Sequence, residues 1–267
     1  KAWRRVISQF ADSNLYQTWS YDAVRFGPEC LSHFVLKYNE RIVAAAQSRI
    51  VRIPATAFGI VYVRWGPLWQ QGNEANATHF RMAIRGLRNE YVCNRGMALR
   101  LLPVLFGSNT KAYRELLEEE GYVFDSKGTQ RTLILDLRPT IDELRANLKQ
   151  KWRNGLNRAE KNGLQVIEGT EDVLFETFIG IYRELLARKR FSAPNDINEF
   201  RAIQRVLPEE HKMRILLCGE GQSISAGAVI SAIGETGVYM FGATSDAGTR
   251  NKSSYMLQWK AIEWLKS

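Results

Sequence analysis

Basic side chains concentrate between Leu148 and Val166, where the sequence reads LKQKWRNGLNRAEKNGLQV and Glu160 is the only acid. Clustered amines and guanidinium groups can bind phosphate oxygens through charge-assisted hydrogen bonds, so this stretch is a candidate contact for a phosphate or a nucleic acid. The alternative is a solvent-exposed helix face, which needs polar residues in any case. The basic residues are Lys149, Lys151, Arg153, Arg158 and Lys161.

The same stretch has the pattern of an amphipathic helix with a defined start and end. Thr140 and Glu143 form a capping-box pattern, in which a hydroxyl and a carboxylate each satisfy a backbone N–H group. Asn162-Gly163 can adopt the left-handed backbone that ends helices. We therefore predict one helix between these points. Its apolar stripe, with residues three or four positions apart, consists of Leu144, Leu148, Trp152, Leu156 and Ala159.

The composition allows two domains and favours an anionic partner. The chain has 267 residues, of which 45% are hydrophobic and 11% aromatic, enough for two cores of ordinary size. The formal net charge of +9 favours phosphates, a nucleic acid or an acidic membrane surface as a partner.

Cysteine and histidine are too scattered to suggest a metal site or a disulfide framework. The three cysteines form no CxxC pair, and the three histidines are equally dispersed. We therefore expect no metal and no bound cofactor. A reducing cytoplasm is the expected compartment, and the sequence has neither an apolar run of transmembrane length nor a signal-peptide core. Peripheral association with the inner membrane face remains open.

Periodicity predicts two mixed α/β units joined near residue 137, with domains at 1–137 and 138–267. Because the chain stops within a helix, we expect the second domain to be incomplete at its C-terminus. Strands are predicted at 34–38, 42–53, 60–64, 98–102, 122–124, 131–137, 165–168, 213–218, 224–232 and 237–241. Further helices are predicted at 74–94, 110–120, 172–188, 195–206 and 254–266.

Two motif blocks resemble the Fem-type (FemABX) family, the nonribosomal peptidyltransferases that add amino acids to peptidoglycan precursors. The first block, in residues 132–163, consists of TLILDL, DEL and K-x-K-x-R leading to R-A-E-K-x-G. The second, in residues 239–262, consists of YMFGATS, an arginine and YMLQW-x-AI. Residues 17–19 (QTW) and 64–67 (RWGP) are weaker similarities.

The resemblance implies two tandem GNAT (acetyltransferase-like) domains with a substrate cleft between them. By motif position it implies that Arg25 contacts a nucleotide-sugar diphosphate, and that Arg64 and Trp65 line the first-domain wall. Arg188 resembles the family's second-domain arginine. Three further substrate-binding candidates are Tyr239 and Phe241 on a strand and Arg250 in the loop before the last helix.

Each of these residues has a structural alternative. Tyr239 and Phe241 could be core residues of a strand, and Arg250 could cap or pair within its loop. The chain also departs from the family pattern: Phe241 stands where the family usually has Tyr, and no acidic residue follows the RWGP turn. Trp259, Ile262 and Trp264 are expected to anchor a buried helix.

The family's reaction is attack of an amine on an activated ester or thioester. Such donors are already reactive, so alignment of two substrates supplies much of the catalysis and no residue is assigned as the base. The loop that would hold the pyrophosphate of acyl-CoA has Ser253 and Tyr255 where small residues are needed, which favours aminoacyl-tRNA as the donor. The expected acceptor is a nucleotide- or lipid-linked envelope precursor. An acyl-CoA-dependent N-acyltransferase of polysaccharide or amino-sugar biosynthesis and a non-catalytic binding module are the alternatives.

Overall fold

Two four-stranded sheets organise the chain, which divides into two units. Unit 1 comprises Lys1–Arg131 together with Ile233–Thr236, and unit 2 comprises Thr132–Ala232 and Gly237–Ser267. The predicted mixed α/β architecture is confirmed. The computed structural model describes residues 2–56, 58–72, 76–106, 110–125, 132–190, 195–221 and 223–267.

The sheet of unit 1 has the strand order β1-β2-β3-β4. Its strands are β1 (Leu31–Tyr38), β2 (Arg41–Arg52), β3 (Gly59–Arg64) and β4 (Ala98–Leu102). The first three are antiparallel neighbours, and β4 runs parallel to β3. A parallel neighbour requires a crossover, which the helix Ala77–Leu87 and the π-helix Arg88–Asn94 provide.

The core of unit 1 lies between this sheet and its helices. Trp69, Phe80 and Tyr113 form an aromatic cluster, with the Trp69 and Phe80 ring centroids 4.6 Å apart. Small residues on β2, including Ala44, let the helices approach the sheet closely. The helices of this unit are α1 (Ala2–Ile7), α2 (Trp19–Phe26), α3 (Ala77–Leu87) and α4 (Thr110–Glu119).

The sheet of unit 2 has the order β5-β6-β7-β8, and β6 is antiparallel to both β5 and β7. Its strands are β5 (Gln165–Gly169), β6 (Arg214–Glu220), β7 (Ser223–Ile233) and β8 (Thr236–Thr244). Its helices are α5 (Ile141–Ala146), α6 (Gln150–Lys161), α7 (Asp172–Lys189), α8 (Ile197–Val206), α9 (Asp246–Asn251) and α10 (Ser253–Lys266).

The basic helix predicted from Thr140 to Asn162 is two helices. The capping box at Thr140 and Glu143 is present, but the backbone is extended at Lys149, between α5 and α6. The Arg153 side chain donates a hydrogen bond to the Leu148 carbonyl at 3.2 Å, which satisfies one acceptor at the break. Both helices pack their apolar stripe around the buried Trp259 ring, so tertiary packing overrides the continuous periodicity.

Two predicted strands are wrong. Residues 122–124 are not in a strand; Tyr122 packs beside the aromatic cluster and donates a hydrogen bond from its hydroxyl to the Ile84 carbonyl at 2.8 Å. Of the strand predicted at 131–137, the first residue lies outside the described residues and the rest pair with no described strand. Leu133 is 100% exposed, and Leu137, at the end of the segment, packs beside the Trp259 ring, so the apolar alternation does not form one buried face of a strand.

Among the described residues, no helix combines the length and the apolar character that crossing a bilayer requires.

Candidate functional site

Two arginines of unit 1 meet at one tyrosine hydroxyl. Arg25 lies in the last turn of α2 and Arg64 is the final residue of β3. Tyr21 lies four residues before Arg25, so both side chains share a helix face. The Tyr21 hydroxyl accepts hydrogen bonds from Nη1 of Arg25 and, at 3.1 Å, from Nη1 of Arg64. The helix and the strand thereby present two guanidinium groups side by side.

Aromatic rings hold these cations in place. The Arg64 guanidinium lies 4.2 Å from the centroid of the Tyr16 ring, and its buried Nε has no hydrogen-bond partner among the described residues. A third guanidinium, that of Arg49, lies between the rings of Phe26 and Tyr62 at 3.9 and 4.8 Å. Cation–π contacts of this kind fix a charge without neutralising it. We call Tyr16, Tyr21, Arg25, Arg49 and Arg64 the arginine–tyrosine cluster.

Buried hydrogen bonds of two glutamine side chains fix the segments that carry the cluster. The Gln17 side chain donates to the Arg64 carbonyl at 2.7 Å and accepts from the Gln47 backbone N–H at 2.8 Å. The Gln47 side chain donates to the Thr18 carbonyl at 2.8 Å and to Asp22 Oδ2 at 3.0 Å. These bonds tie the start of α2 to β2 and β3, the elements that carry the three arginines.

The cluster is positively charged at neutral pH. Burial raises the pKa of the Tyr16 and Tyr21 hydroxyls, so both remain protonated. Burial also raises the pKa of Asp22, against the opposing effects of the Gln47 hydrogen bond and the nearby arginines. The cluster thus brings three guanidinium groups close to the Asp22 carboxyl, which loses its proton less readily than usual, and this arrangement suits a phosphate or another polyanion.

Trp65 joins the cluster through a ring contact. Its ring meets the Tyr16 ring edge-on, with centroids 4.8 Å apart and planes at 60°. Its backbone has φ 51°, and its carbonyl accepts a hydrogen bond from the Asn14 side chain at 2.9 Å. All three first-domain candidates, Arg25, Arg64 and Trp65, thus belong to one assembly of side chains.

The candidates of unit 2 are not assembled in this way. Phe241 is only 8% exposed and packs against Tyr182 and Phe200, whereas Tyr239 on the same strand is 47% exposed. Phe241 is therefore a core residue, as its structural alternative predicted, and Tyr239 presents its ring at the surface.

Arg188 joins the end of α7 to the connection between β8 and α9 within unit 2. It forms an ion pair with Asp246, in the first turn of α9, and donates from Nη2 to the Thr244 carbonyl at 2.7 Å. Arg250 lies in the last turn of the same short helix and is exposed. Arg188 thus fixes the connection between β8 and α9, and Arg250 projects from it.

Sequence reasoning missed Tyr16, Tyr21 and Arg49. The four-residue spacing from Tyr21 to Arg25 was an available signal once α2 was assigned. Arg49 and Tyr62 occupy directly opposed positions of β2 and β3, so the strand register brings them together. That register could not be read from the sequence, because the turn between the two strands has no short hairpin signature.

Metal ligands are not grouped in the described part of the chain: no set of three His, Cys, Asp or Glu side chains could hold an ion there. Cys30, Cys93 and Cys218 are unpaired.

Two units, each a four-stranded sheet flanked by helices, define the class of fold, and solved structures share it. The chain superposes on FemX with a TM-score of 0.78 and 14% identity, over 99% of this chain and 84% of FemX. A C-terminal domain assigned to a lysylphosphatidylglycerol synthetase from Agrobacterium fabrum gives a TM-score of 0.52 and 12% identity, over 99% and 73%. A conserved protein of unknown function from Bacteroides thetaiotaomicron gives 0.58 and 11%, over 98% and 83%.

At these identities the likeness establishes the fold alone. No protein-family model matches the sequence, and no curated protein matches it.

Proposed function

We propose that this protein is an aminoacyltransferase that moves an amino acid from aminoacyl-tRNA to an amine of a peptidoglycan or other cell-envelope precursor. The arginine–tyrosine cluster is the observation that carries the proposal. The fold of FemX supports it, since the sequence motifs resemble the Fem-type family. The second neighbour supports it as well, because the name of that enzyme describes a lysyl group joined to a phospholipid.

The cluster is suited to the acceptor. A nucleotide- or lipid-linked precursor carries phosphate groups beside the part that is modified. Guanidinium groups bind phosphate through paired N–H donors, and those of Arg25, Arg49 and Arg64 are held by rings or by the Tyr21 hydroxyl. Preorganised donors lose little side-chain entropy on binding. The precursor is thereby anchored by its phosphates while its amine is left to react.

The reaction needs alignment more than acid–base assistance. The acceptor amine attacks the ester carbonyl, the new C–N bond forms, the ester C–O bond breaks, and the proton lost by the amine ends on the departing ribose hydroxyl. Holding both substrates in place supplies effective molarities of about 10⁵–10⁸ M. Aminoacyl-tRNA is made in the cytoplasm, so we place the reaction there, where the inner face of the membrane carries lipid-linked acceptors.

A transfer assay tests the proposal directly. Charged tRNA bearing a labelled amino acid is incubated with the protein and with nucleotide-linked or lipid-linked precursors. We expect label to appear on an acceptor amine. Arg25→Ala, Arg49→Ala and Arg64→Ala should each lower kcat/KM by about tenfold, mainly through KM, because each removes a phosphate contact rather than a reacting group.

Arg52→Ala is the matched control, since this exposed arginine lies on the same strand as Arg49 but outside the cluster. It should transfer label at the wild-type rate. If the folded protein transfers no amino acid to any of these precursors, the proposal is wrong. RNA binding that depends steeply on salt, without turnover, would identify a non-catalytic binding module instead.

A further inference from the structure

Unit 2 contains a concave site between α6 and the start of α10, separate from the arginine–tyrosine cluster. Its volume is about 430 Å³, within the range of small-ligand sites. We call it the basic pocket. It is lined by Gln150, Lys151, Asn154, Gly155, Arg158, Lys252 and Tyr255.

The basic pocket carries a concentration of positive charge. Lys151, Arg158 and Lys252 line it, and none of the described lining residues is acidic. The side chains of Lys151 and Arg158 have neither an ion pair nor a hydrogen bond to another described residue. The only acid of α6, Glu160, is bound by the Arg145 guanidinium at 2.6 and 2.7 Å. Three cations therefore face the same concave space without a counter-charge from the described lining residues.

Tyr255 forms a wall of this pocket because Gly155 makes room for it. A Cβ at position 155 would lie 2.6 Å from Cε1 of the Tyr255 ring. The ring lies against α6 and meets the Trp152 ring edge-on at 5.3 Å. The bulk of Tyr255 is thus directed onto the helix, and an aromatic surface borders the three cations.

Lys252 is held in an unusual backbone conformation. Its φ of 67° is in the left-handed region, which non-glycine residues seldom adopt, and its Nζ donates to the Thr249 carbonyl at 3.0 Å. This conformation starts α10 and directs a lysine, rather than a glycine, to the pocket edge. Strain of this kind persists where the surroundings enforce it.

From these observations we infer that the basic pocket binds a phosphate ester of a nucleotide. Lysine and arginine supply charge-assisted hydrogen bonds to phosphate, and a tyrosine ring offers a stacking surface for a base. The identity of the ligand rests on the proposed function, in which the phosphate belongs to a phosphodiester of the aminoacyl-tRNA donor. The phosphates of coenzyme A share the same chemistry and would occupy the same cations.

Affinity measurements on variants of the 267-residue protein test the inference. The probes are an uncharged RNA minihelix ending in CCA and, separately, coenzyme A. We expect Lys151→Ala and Arg158→Ala each to weaken RNA binding about tenfold and to lower the slope of log K against log salt by about one. Arg158→Lys should retain most of the affinity, because the positive charge stays in the pocket.

Arg153→Ala is the matched control: it removes one charge from the same helix at a position that does not line the pocket. Equal RNA affinity in Lys151→Ala, Arg158→Ala and Arg153→Ala, together with unchanged coenzyme A affinity, overturns the inference. If coenzyme A binding depends on Lys151 and Arg158 and the protein binds no RNA, the pocket is a phosphate site. The proposal that its ligand is aminoacyl-tRNA is then refuted. Circular dichroism of each variant shows that a loss of affinity is not a loss of fold.

Discussion

The Tyr21 hydroxyl is the point at which two guanidinium groups of unit 1 are held in common. It contacts both Arg25 and Arg64, and the amide network of Gln17 and Gln47 fixes the segments that carry them. Tyr21 is therefore a positioning residue for the arginines. Its effect on catalysis should pass through acceptor binding.

Tyr21→Phe tests this role. Without the hydroxyl the two guanidinium groups lose their shared acceptor, so KM for the phosphate-bearing acceptor should rise about five- to tenfold while kcat changes little. Steady-state kinetics of amino-acid transfer measure both constants. Tyr38→Phe, at the exposed end of β1, is the control and should match wild type. A lower kcat at unchanged KM would contradict a positioning role.

A buried carboxyl makes the stability of unit 1 depend on pH. Burial raises the pKa of Asp12 from 3.8 to about 7, although the backbone N–H groups of Trp69 and Gln70 donate to it at 3.0 and 3.1 Å and lower it. A carboxyl with a raised pKa binds its proton more tightly in the folded state. Its stabilising contribution is complete below pH 4 and is lost as the pH rises to about 7.

We expect the free energy of unfolding to fall by about 1.4 kcal/mol per pH unit from this group within that window. In Asp12→Asn this dependence should be absent. Urea denaturation at several pH values measures it, and Glu220→Gln, at the exposed end of β6, is the control. A fall in the unfolding free energy from pH 4 to 7 that is as steep in Asp12→Asn as in wild type would exclude Asp12 as its source.

Arg49 shows the limit of residue-level sequence reasoning. Motif order suggested Arg25, Arg64 and Trp65 as binding residues, and the structure brings their side chains together. Arg49 belongs to no motif, and its position depends on strand register. For Phe241, motif position suggested a binding residue, whereas the structure packs its ring against Tyr182 and Phe200. Motif position alone does not indicate whether a side chain is buried.

At the level of elements, apolar residues in continuous runs, as on β2, or in alternation, as on β3, predicted the strands of both sheets well. β2 and β3 illustrate this, since their ends lie within a residue or so of the predicted ones. The failures have a common cause. Residues 132–137 alternate like a strand but have no described partner strand, and the stripe of α5 and α6 continues across a break. Local pattern specifies a face, whereas pairing and helix continuity depend on distant segments.

Two helix glycines, Gly155 in α6 and Gly180 in α7, should respond to substitution by alanine with opposite signs. In Gly155→Ala the new Cβ meets the Tyr255 ring at 2.6 Å, so the ring must move. Overpacking of this kind costs about 1–3 kcal/mol, more than the gain of about 1 kcal/mol in helix propensity. We expect a net loss of stability in urea denaturation, together with weaker RNA binding.

Gly180→Ala is the matched control in α7, because no atom lies within 4 Å of its added Cβ. It should stabilise the protein by about 1 kcal/mol. If both variants were stabilised to the same extent, the close approach of Tyr255 to α6 would be disproved.

At the scale of the whole molecule, the segment Ile233–Thr236 belongs to unit 1 although it is distant in sequence. The backbone N–H of Glu235 donates to the Ala11 carbonyl at 2.7 Å. Gly234 has φ 66°, and an added Cβ would lie 2.4 Å from the Ala11 oxygen. A substitution at Gly234 therefore tests how tightly this segment is held in unit 1.

Gly234→Ala should lower the free energy of unfolding by more than about 2 kcal/mol, since it combines left-handed backbone strain with a clash against a backbone oxygen. Gly221→Ala is the control: its φ of 56° carries the same strain, but its added Cβ meets nothing within 4 Å. The control should lose only about 1 kcal/mol in urea denaturation. Equal losses would show that the contact with Ala11 contributes nothing.

Unit 1 is built from two segments that are separated in the sequence, and this affects when it can fold during synthesis. On the ribosome, residues 1–131 are made before residues 132–232, and unit 1 gains the segment Ile233–Thr236 only after both. Until then the Ala11 carbonyl lacks the backbone donor that Glu235 later provides. Unit 1 is therefore completed only after residues 132–232 of unit 2 have been made, and a nascent chain released before residue 233 contains neither unit in full.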